Sequence, residues 1–282
     1  MSIVDSTVSR PIKIGDKGPA VVAIQVALKQ DGYDIEVTGE FDADTEDLVK
    51  DFQEDSGLKV TGEVDPLTAD ELDNIAVPLS PEDFVGRIIR AAVSLGYRVI
   101  DGVDRVNICY IEGINADGVP NDNAPNTFND LRTVIRVVGG KAEFLGRWEG
   151  TTEPGRYWTE HPMNPQGAAR IAFGSHKAWQ VGIHHDHEAL VQTGGPVTVH
   201  RDLNQDYSRA NDKIFTGMFG VNQHWGYDMQ KSDLGRSSAG CLVGRAKDGH
   251  REFMRILKTD GAFRADNKFV FSTVVLPASA IQ

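Results

Sequence analysis

The sequence predicts a multidomain protein in which a small all-α module of three helices precedes a mainly β domain with one or two helices. Residues 12–75 contain an internal repeat with helical spacing of apolar residues. After Val106, short apolar or alternating segments recur between Gly, Asn, Asp and Pro clusters, a pattern typical of a β sandwich or open barrel. We expect a module at 1–75, a linker at 76–82 and a second domain at 83–282.

The repeat defines the first module. The segment Val37–Asp42 returns as Val60–Asp65, 23 positions later, and Thr45 returns as Thr68. Each copy predicts a glycine turn followed by the start of a helix, with Asp and Thr side chains suited to capping. We therefore expect short helices packed around one small core.

The module also resembles a known family. The matching positions are Gly15, Asp16, Lys17, Gly18, Val22, Gln25, Leu28, Gly32, Gly39, Glu40, Phe41, Thr45, Val49, Phe52, Gln53, Gly57, Leu58 and Gly62. In this pattern the module resembles the type 1 peptidoglycan-binding domain. The resemblance implies that glycan strands and stem peptides of peptidoglycan are the partner.

The charge of the chain is unevenly distributed. The formal net charge is -12, and residues 1–75 hold 6 Lys and Arg against 18 Asp and Glu, so the acidity belongs to the module. Nucleic acid and anionic membrane surfaces are disfavoured as partners because both attract basic patches.

No apolar run approaches the roughly 18 residues of a membrane span. The first thirty residues lack a secretory pattern. If the protein acts at the bacterial cell wall or in the periplasm, the lack of a secretory pattern predicts that it is delivered by phage lysis, a virion or a secretion machine.

The remaining elements follow from local pattern. Two prolines within 76–82 favour a linker, and apolar spacing over 84–95 predicts a helix whose apolar face packs on the second domain. A turn-rich surface excursion is expected at 113–130, and a helix at 246–258. Strands are predicted at 106–111, 132–138, 142–148, 168–173, 178–183, 196–200 and 268–276.

The strongest chemical signal surrounds Cys241. It follows the tight segment Ser238-Ala239-Gly240, and His224 lies 17 residues earlier. A thiol nucleophile needs its thiolate form, which a nearby imidazole favours. Backbone N–H groups around Gly240 and Cys241 are suited to stabilising an oxyanion. Ser238 or a nearby backbone carbonyl is expected to orient the His224 ring.

The same segment resembles the catalytic motif of the L,D-transpeptidase (YkuD-type) family. That motif is a histidine, roughly 15 residues, then Ser-His-Gly-Cys followed by an apolar residue and Arg. Ser238, Gly240, Cys241 and Leu242 match it, and His224 matches by spacing. Upstream, residues 152–155 (Thr-Glu-Pro-Gly) resemble the Thr-Pro-x-Gly turn of these domains.

The segment departs from the family at several positions. Ala239 stands where the family often has His, and Val243 stands where it usually has Arg. Arg245 lies two residues later and is suited to the same space. The residues predicted to contact substrate are Arg245, Arg236, Trp225 and His184.

The resemblance implies a mechanism without a cofactor or metal. His224 takes the proton of Cys241, and the thiolate attacks the L-centre carbonyl of the third stem residue at its bond to D-Ala. A thioester forms, and an amine or water then resolves it. Because both fates share the thioester, the sequence leaves cross-linking and hydrolysis open.

Two other functions remain open. One is a zinc peptidase, in which residues 184–188 (His-His-Asp-His-Glu) supply metal ligands. His185 and His187 are expected on one face of a strand, where such a pair can bind zinc. No recognised zinc spacing accompanies them, and His184 also competes with His224 as the base. A non-catalytic wall-anchoring protein is the other alternative. Cys109, in a strand-like run without an adjacent His, is predicted to be a buried structural thiol.

Overall fold

A computed structural model describes residues 3–7, 9–73, 75 and 83–281 of the chain. The predicted linker at 76–82 lies outside the described residues. The helices are α1 (Ile3–Thr7), α2 (Pro19–Gln30), α3 (Ala43–Ser56), α4 (Pro66–Asp73), α5 (Phe84–Ser94), α6 (Arg156–Glu160), α7 (Lys247–Leu257) and α8 (Gly261–Ala265). The strands are β1 (Asn107–Glu112), β2 (Asp130–Val138), β3 (Lys141–Thr151), β4 (Ala168–Ile171), β5 (Gly174–His184), β6 (His187–Gln192), β7 (Val197–Asp202), β8 (Lys213–Gly217), β9 (Gln223–Trp225), β10 (Leu242–Gly244) and β11 (Phe271–Pro277). A short 3-10 helix, Ala278–Ala280, follows β11.

The predicted fold class, a helical module followed by a mainly β domain, is confirmed, but the helix counts differ. Among the described residues, four helices, α1–α4, rather than three form the module around its own apolar core, and four more, α5–α8, rather than one or two accompany the second domain. The sequence repeat corresponds to two copies of one turn, each braced by a buried glutamine. The Gln25 side chain accepts a hydrogen bond from the Gly39 N–H and donates to the Glu40 carbonyl. In the second copy, Gln53 accepts from the Gly62 N–H and donates to the Glu63 carbonyl.

The second domain is built on a closed barrel. Its strand order is β1-β11-β5-β6-β9-β10-β3-β2, and β2 pairs back with β1. The β1–β11 and β9–β10 pairs are parallel, and the other pairs are antiparallel. A separate antiparallel sheet has the order β4-β7-β8. The barrel is therefore closed, where the sequence had favoured a sandwich or open barrel.

Strand β1 is buried on both faces, which explains its continuous apolar run. Ile108 and Tyr110 join the core that includes residues of α7, whereas Cys109 and Ile111 join the core beneath α5. Helix α5 thus packs on the second domain, as its apolar spacing predicted. Cys109 is buried as predicted, and burial raises the pKa of its thiol to about 12.

Charged side chains connect the module to the second domain. Glu71 of α4 accepts a hydrogen bond of 2.9 Å from Arg98 and one of 2.5 Å from Arg105. Arg98 also donates to the Ser56 hydroxyl, and Arg105 pairs with Asp260 at 3.4 Å. Because Glu71, Arg105 and Asp260 are buried, these pairs couple two otherwise distinct apolar cores.

The excursion predicted at 113–130 is only partly a surface feature. Phe128 is fully buried and forms an apolar cluster with Leu234 and Val243, against which Cys241 packs. The sequence did not predict the burial of Phe128, because a single aromatic residue among many polar turn residues forms no periodic apolar pattern. Among the described helices, none is long and apolar enough to cross a membrane.

Candidate functional site

Cys241 and His224 reach one site through two short neighbouring strands. His224 is the central residue of β9, and Cys241 immediately precedes β10. The strands run parallel, with Val243 opposite His224. This pairing closes the 17-residue separation in sequence, and both side chains line the same cleft.

The cleft has a volume of about 630 Å³. Its walls combine aromatic, cationic and small residues from several loops and strands. The lining residues are Trp158, Met163, Asn164, Ala169, His184, His185, Arg201, Phe219, Gly220, Val221, His224, Tyr227, Arg236, Ser237, Ala239, Gly240 and Cys241. A cleft of this size accommodates a small-molecule or peptide ligand.

The turn before Cys241 is fixed by close packing. Gly240 has φ +122°, and a Cβ there would lie 2.5 Å from the Ala169 carbonyl oxygen, so only glycine fits. The Ser238 hydroxyl donates to the Cys241 carbonyl at 2.9 Å and accepts from the Gly240 N–H at 3.2 Å. Ser238 therefore braces the turn, and the Gly240 N–H is already occupied.

The Thr-Glu-Pro-Gly turn supports the same loop from its other side. The Gly155 N–H donates to the Ser238 carbonyl at 2.9 Å. A Cβ at Gly155 would lie 2.5 Å from the Gly235 carbonyl oxygen. The two motifs singled out in the sequence are thus in direct contact.

The Cys241 thiol lies among backbone groups. The Asn222 N–H donates to Sγ at 3.4 Å, and Sγ lies 3.7 Å from the Gly220 carbonyl oxygen. Burial raises the pKa of the thiol to about 11, against the opposing effect of the Asn222 N–H. The Cys241 thiol is therefore protonated at neutral pH.

His224 is held as one neutral tautomer. Its Nδ1 lies 2.7 Å from the Trp225 carbonyl oxygen, an acceptor only, so Nδ1 carries the proton and Nε2 is the basic nitrogen. Burial lowers the pKa of His224 to about 4, although the bond to Trp225 acts in the opposite direction. A backbone carbonyl, rather than Ser238, orients the ring.

Asn222 links His184 to Cys241, and sequence reasoning missed it. Its side-chain amide nitrogen lies 3.1 Å from His184 Nδ1, while its backbone N–H contacts Cys241. The His184 and His224 ring centroids are 4.7 Å apart. Burial, together with His185, lowers the pKa of His184. The only available signal was the position of Asn222 within the Gly220–Gly226 segment.

The other predicted substrate residues divide into two groups. Arg236 and His184 line the cleft, and the Arg236 guanidinium lies 3.8 Å from the centroid of the Tyr157 ring. Among the described lining residues, neither Arg245 nor Trp225 is present. Arg245 donates instead to Glu149 at 2.5 Å, and Trp225 is buried with its ring 4.3 Å from that of His187. The structure therefore gives neither residue a place beside the thiol.

The histidine cluster differs from its predicted arrangement. His184 ends β5 and His187 begins β6, so His185 and Asp186 form the two-residue turn of a hairpin, both with positive φ. His185 and His187 thus do not share a strand face. Within 3–7, 9–73, 75 and 83–281, no group of three or more His, Cys, Asp or Glu residues is arranged to hold a metal.

Comparison with known proteins identifies the first module. Residues 17–72 match the family described as "Putative peptidoglycan binding domain". This match confirms the resemblance that the sequence repeat indicated. No curated protein matches the chain.

Two solved structures align with most of the chain at low TM-scores. One is a fused Zn-dependent amidase/peptidase/peptidoglycan-binding domain-containing protein from Clostridium acetobutylicum, with 16% identity, TM-score 0.30, and coverage of 94% of this chain and 99% of that one. The other is the L,D-transpeptidase (residues 123–326) from Xylanimonas cellulosilytica, with 13% identity, TM-score 0.21, and coverage of 94% and 97%.

Proposed function

We propose that the protein is a peptidoglycan-binding cysteine acyl-transfer enzyme that acts on stem peptides through a Cys241 thioester. The observation that carries the proposal is the presence of Cys241 and His224 in the lining of one cleft, with the His224 Nδ1 bonded to a backbone carbonyl so that Nε2 is free to accept a proton. The peptidoglycan-binding module at residues 17–72 supports peptidoglycan as the substrate and the cell wall as the place of action. The resemblance of the Cys241 motif to that of L,D-transpeptidases supports the bond between the third stem residue and D-Ala as the one that is cleaved.

The reaction begins with two neutral groups. Nε2 of His224 accepts the Cys241 proton as Sγ attacks the L-centre carbonyl carbon of the third stem residue. The C–N bond to D-Ala breaks, and the imidazolium returns the proton to the leaving amine. The thioester then transfers its acyl group to an acceptor amine or to water, which restores the thiol.

The developing oxyanion needs a donor that is not already engaged. The Gly240 N–H already donates a hydrogen bond to the Ser238 hydroxyl, whereas the Cys241 N–H has no acceptor among the described residues. We assign the Cys241 N–H as the oxyanion donor of the nucleophile turn. Ser238 and Gly240 act by holding that turn, and Arg236 and His184 contact the substrate.

Purified sacculi provide the test. The wild-type protein should release or remodel muropeptides, Cys241→Ala should lose nearly all turnover, and Cys109→Ala should keep it because that thiol is buried away from the cleft. A D-amino acid acceptor separates the fates, since its incorporation establishes transfer and free D-Ala with tripeptide alone establishes hydrolysis. Activity that survives in Cys241→Ala contradicts the proposal, and chelator-sensitive activity in that variant would favour the zinc peptidase.

A further inference from the structure

The Cys241 cleft carries positive charge without an acidic partner. Its described lining includes Arg201 and Arg236 and no Asp or Glu. An uncompensated positive lining favours an anionic ligand by focusing the local potential.

Arg201 lies beside the nucleophile turn because of the register of the small sheet. It is on β7, directly opposite Ala169 of β4 and Lys213 of β8. The Ala169 carbonyl is the group against which Gly240 packs, next to Cys241. Arg201 and Cys241 thus line the same cleft from either side of Ala169.

Arg201 is buried without a carboxylate partner. Its guanidinium donates a 3.4 Å hydrogen bond to the Gly167 carbonyl and lies 4.9 Å from the centroid of the Phe219 ring. Burial lowers its pKa, and no neighbouring acid opposes this. A buried cation without an anion is costly unless a ligand supplies one.

Other buried arginines in this domain show the contrast. Arg105 pairs with Glu71, and Arg170 pairs with Glu153. Arg132 also lacks a carboxylate, but it is fully buried, bonded to His250 and not part of the cleft lining. Within the described residues, Arg201 combines burial, a missing counter-ion and a position at the cleft.

We propose that Arg201 binds a carboxylate of the peptide substrate and so selects acidic donors. This inference rests on the proposed function. Two carboxylates flank the scissile bond in a diaminopimelate tetrapeptide: the terminal carboxylate of the leaving D-Ala and the side-chain carboxylate of the third residue. A guanidinium is suited to either because its parallel N–H groups match both oxygens.

Peptide binding to the full-length Cys241→Ala protein tests this without turnover. Calorimetric titration would use the tetrapeptide, its C-terminal amide, and a form with lysine in place of diaminopimelate. Arg201→Gln should lower the affinity for the tetrapeptide with a free C-terminus by about 10- to 100-fold, the range for loss of a charged hydrogen bond. Arg201→Lys should restore part of the affinity. Lys213→Gln, the matched control on the adjacent strand, should bind like the parent.

The pattern across peptides assigns the carboxylate. If the C-terminal amide binds the parent weakly and Arg201→Gln does not lower its affinity further, the terminal carboxylate is the partner of Arg201. If the lysine form shows this pattern instead, the partner is the side-chain carboxylate of the third residue. Equal binding by parent and Arg201→Gln, or an equal loss for all three peptides, overturns the inference. Turnover of the tetrapeptide by the wild-type protein is measured separately, so a failure of the proposed chemistry is distinguishable from a failure at Arg201.

Discussion

Burial sets the charge states of Cys241 and His224. It raises the pKa of the thiol to about 11 and lowers that of the imidazole to about 4, so the neutral pair predominates at pH 7. A preformed thiolate–imidazolium pair would require the opposite shifts. Proton transfer in this site is therefore expected to accompany attack on the substrate rather than precede it.

The first prediction concerns the pH dependence of Cys241 alkylation. In a Cys109→Ala background, the rate of reaction with iodoacetamide should rise about tenfold per pH unit between pH 7 and 10, because only the thiolate reacts and its pKa lies near 11. Mass spectrometry of the labelled protein measures the rate. A rate that is independent of pH across this range indicates a preformed thiolate and contradicts the neutral pair.

The braced turns of the module are built from buried hydrogen bonds. Gln53 accepts from the N–H groups of Thr61 and Gly62 and donates to the Glu63 carbonyl, with distances of 2.8–2.9 Å. Gln53→Met keeps the length of the side chain but leaves these groups unpaired, at a cost of about 1–3 kcal/mol for each buried group. The repeat in the sequence is thus a repeat of this hydrogen-bonded turn.

We predict that Gln53→Met lowers the free energy of unfolding of the module by at least about 2 kcal/mol. Gln30→Met, at the exposed end of α2, should change it by less than about 0.5 kcal/mol. Denaturant unfolding of the full chain, followed by circular dichroism, measures both. Equal stability of the two variants contradicts the bracing role of Gln53.

Apolar patterning determined how far the sequence could predict the fold and the site. The helix α5 and the strand β1 were predictable because burial leaves a run or period of apolar residues. Strands β6, β8, β9 and β10 were missed; β9 and β10 have only three residues each, and β6 and β8 carry exposed polar positions among few apolar ones. Cys241 and His224 were identified from residue type and motif, but the position of Arg201 beside the cleft depends on the register of β4 and β7.

The module and the second domain are joined by a buried charge rather than by a shared apolar core. Glu71 accepts hydrogen bonds from both Arg98 and Arg105. Burial opposes its ionisation, but Arg105 and Arg98 outweigh burial and hold its pKa below the usual range. This stabilisation is present above the unfolded-state pKa of about 4.3 and is lost as pH falls through the lower folded-state value. Deletion of residues 1–78 would remove the Glu71 partner, so we expect the isolated second domain to be destabilised.

Glu71→Gln should destabilise the full chain by about 3–5 kcal/mol, because it leaves buried guanidinium groups without their main counter-ion. Glu40→Gln removes an exposed partner of Lys17 and should cost no more than about 1 kcal/mol. Denaturant unfolding, followed by tryptophan fluorescence and circular dichroism, compares the variants. An equal loss of stability in the two variants would contradict a buried counter-ion role for Glu71.

Intact-protein mass spectrometry can detect the covalent intermediate proposed on Cys241. The full chain is mixed with a diaminopimelate tetrapeptide, quenched in acid and digested to locate the adduct. We expect a mass increase equal to the tripeptide acyl group on Cys241, absent from Cys241→Ala and unaffected by Cys109→Ala. Tetrapeptide cleavage without an adduct in rapidly quenched samples, or cleavage that persists in Cys241→Ala, would contradict it.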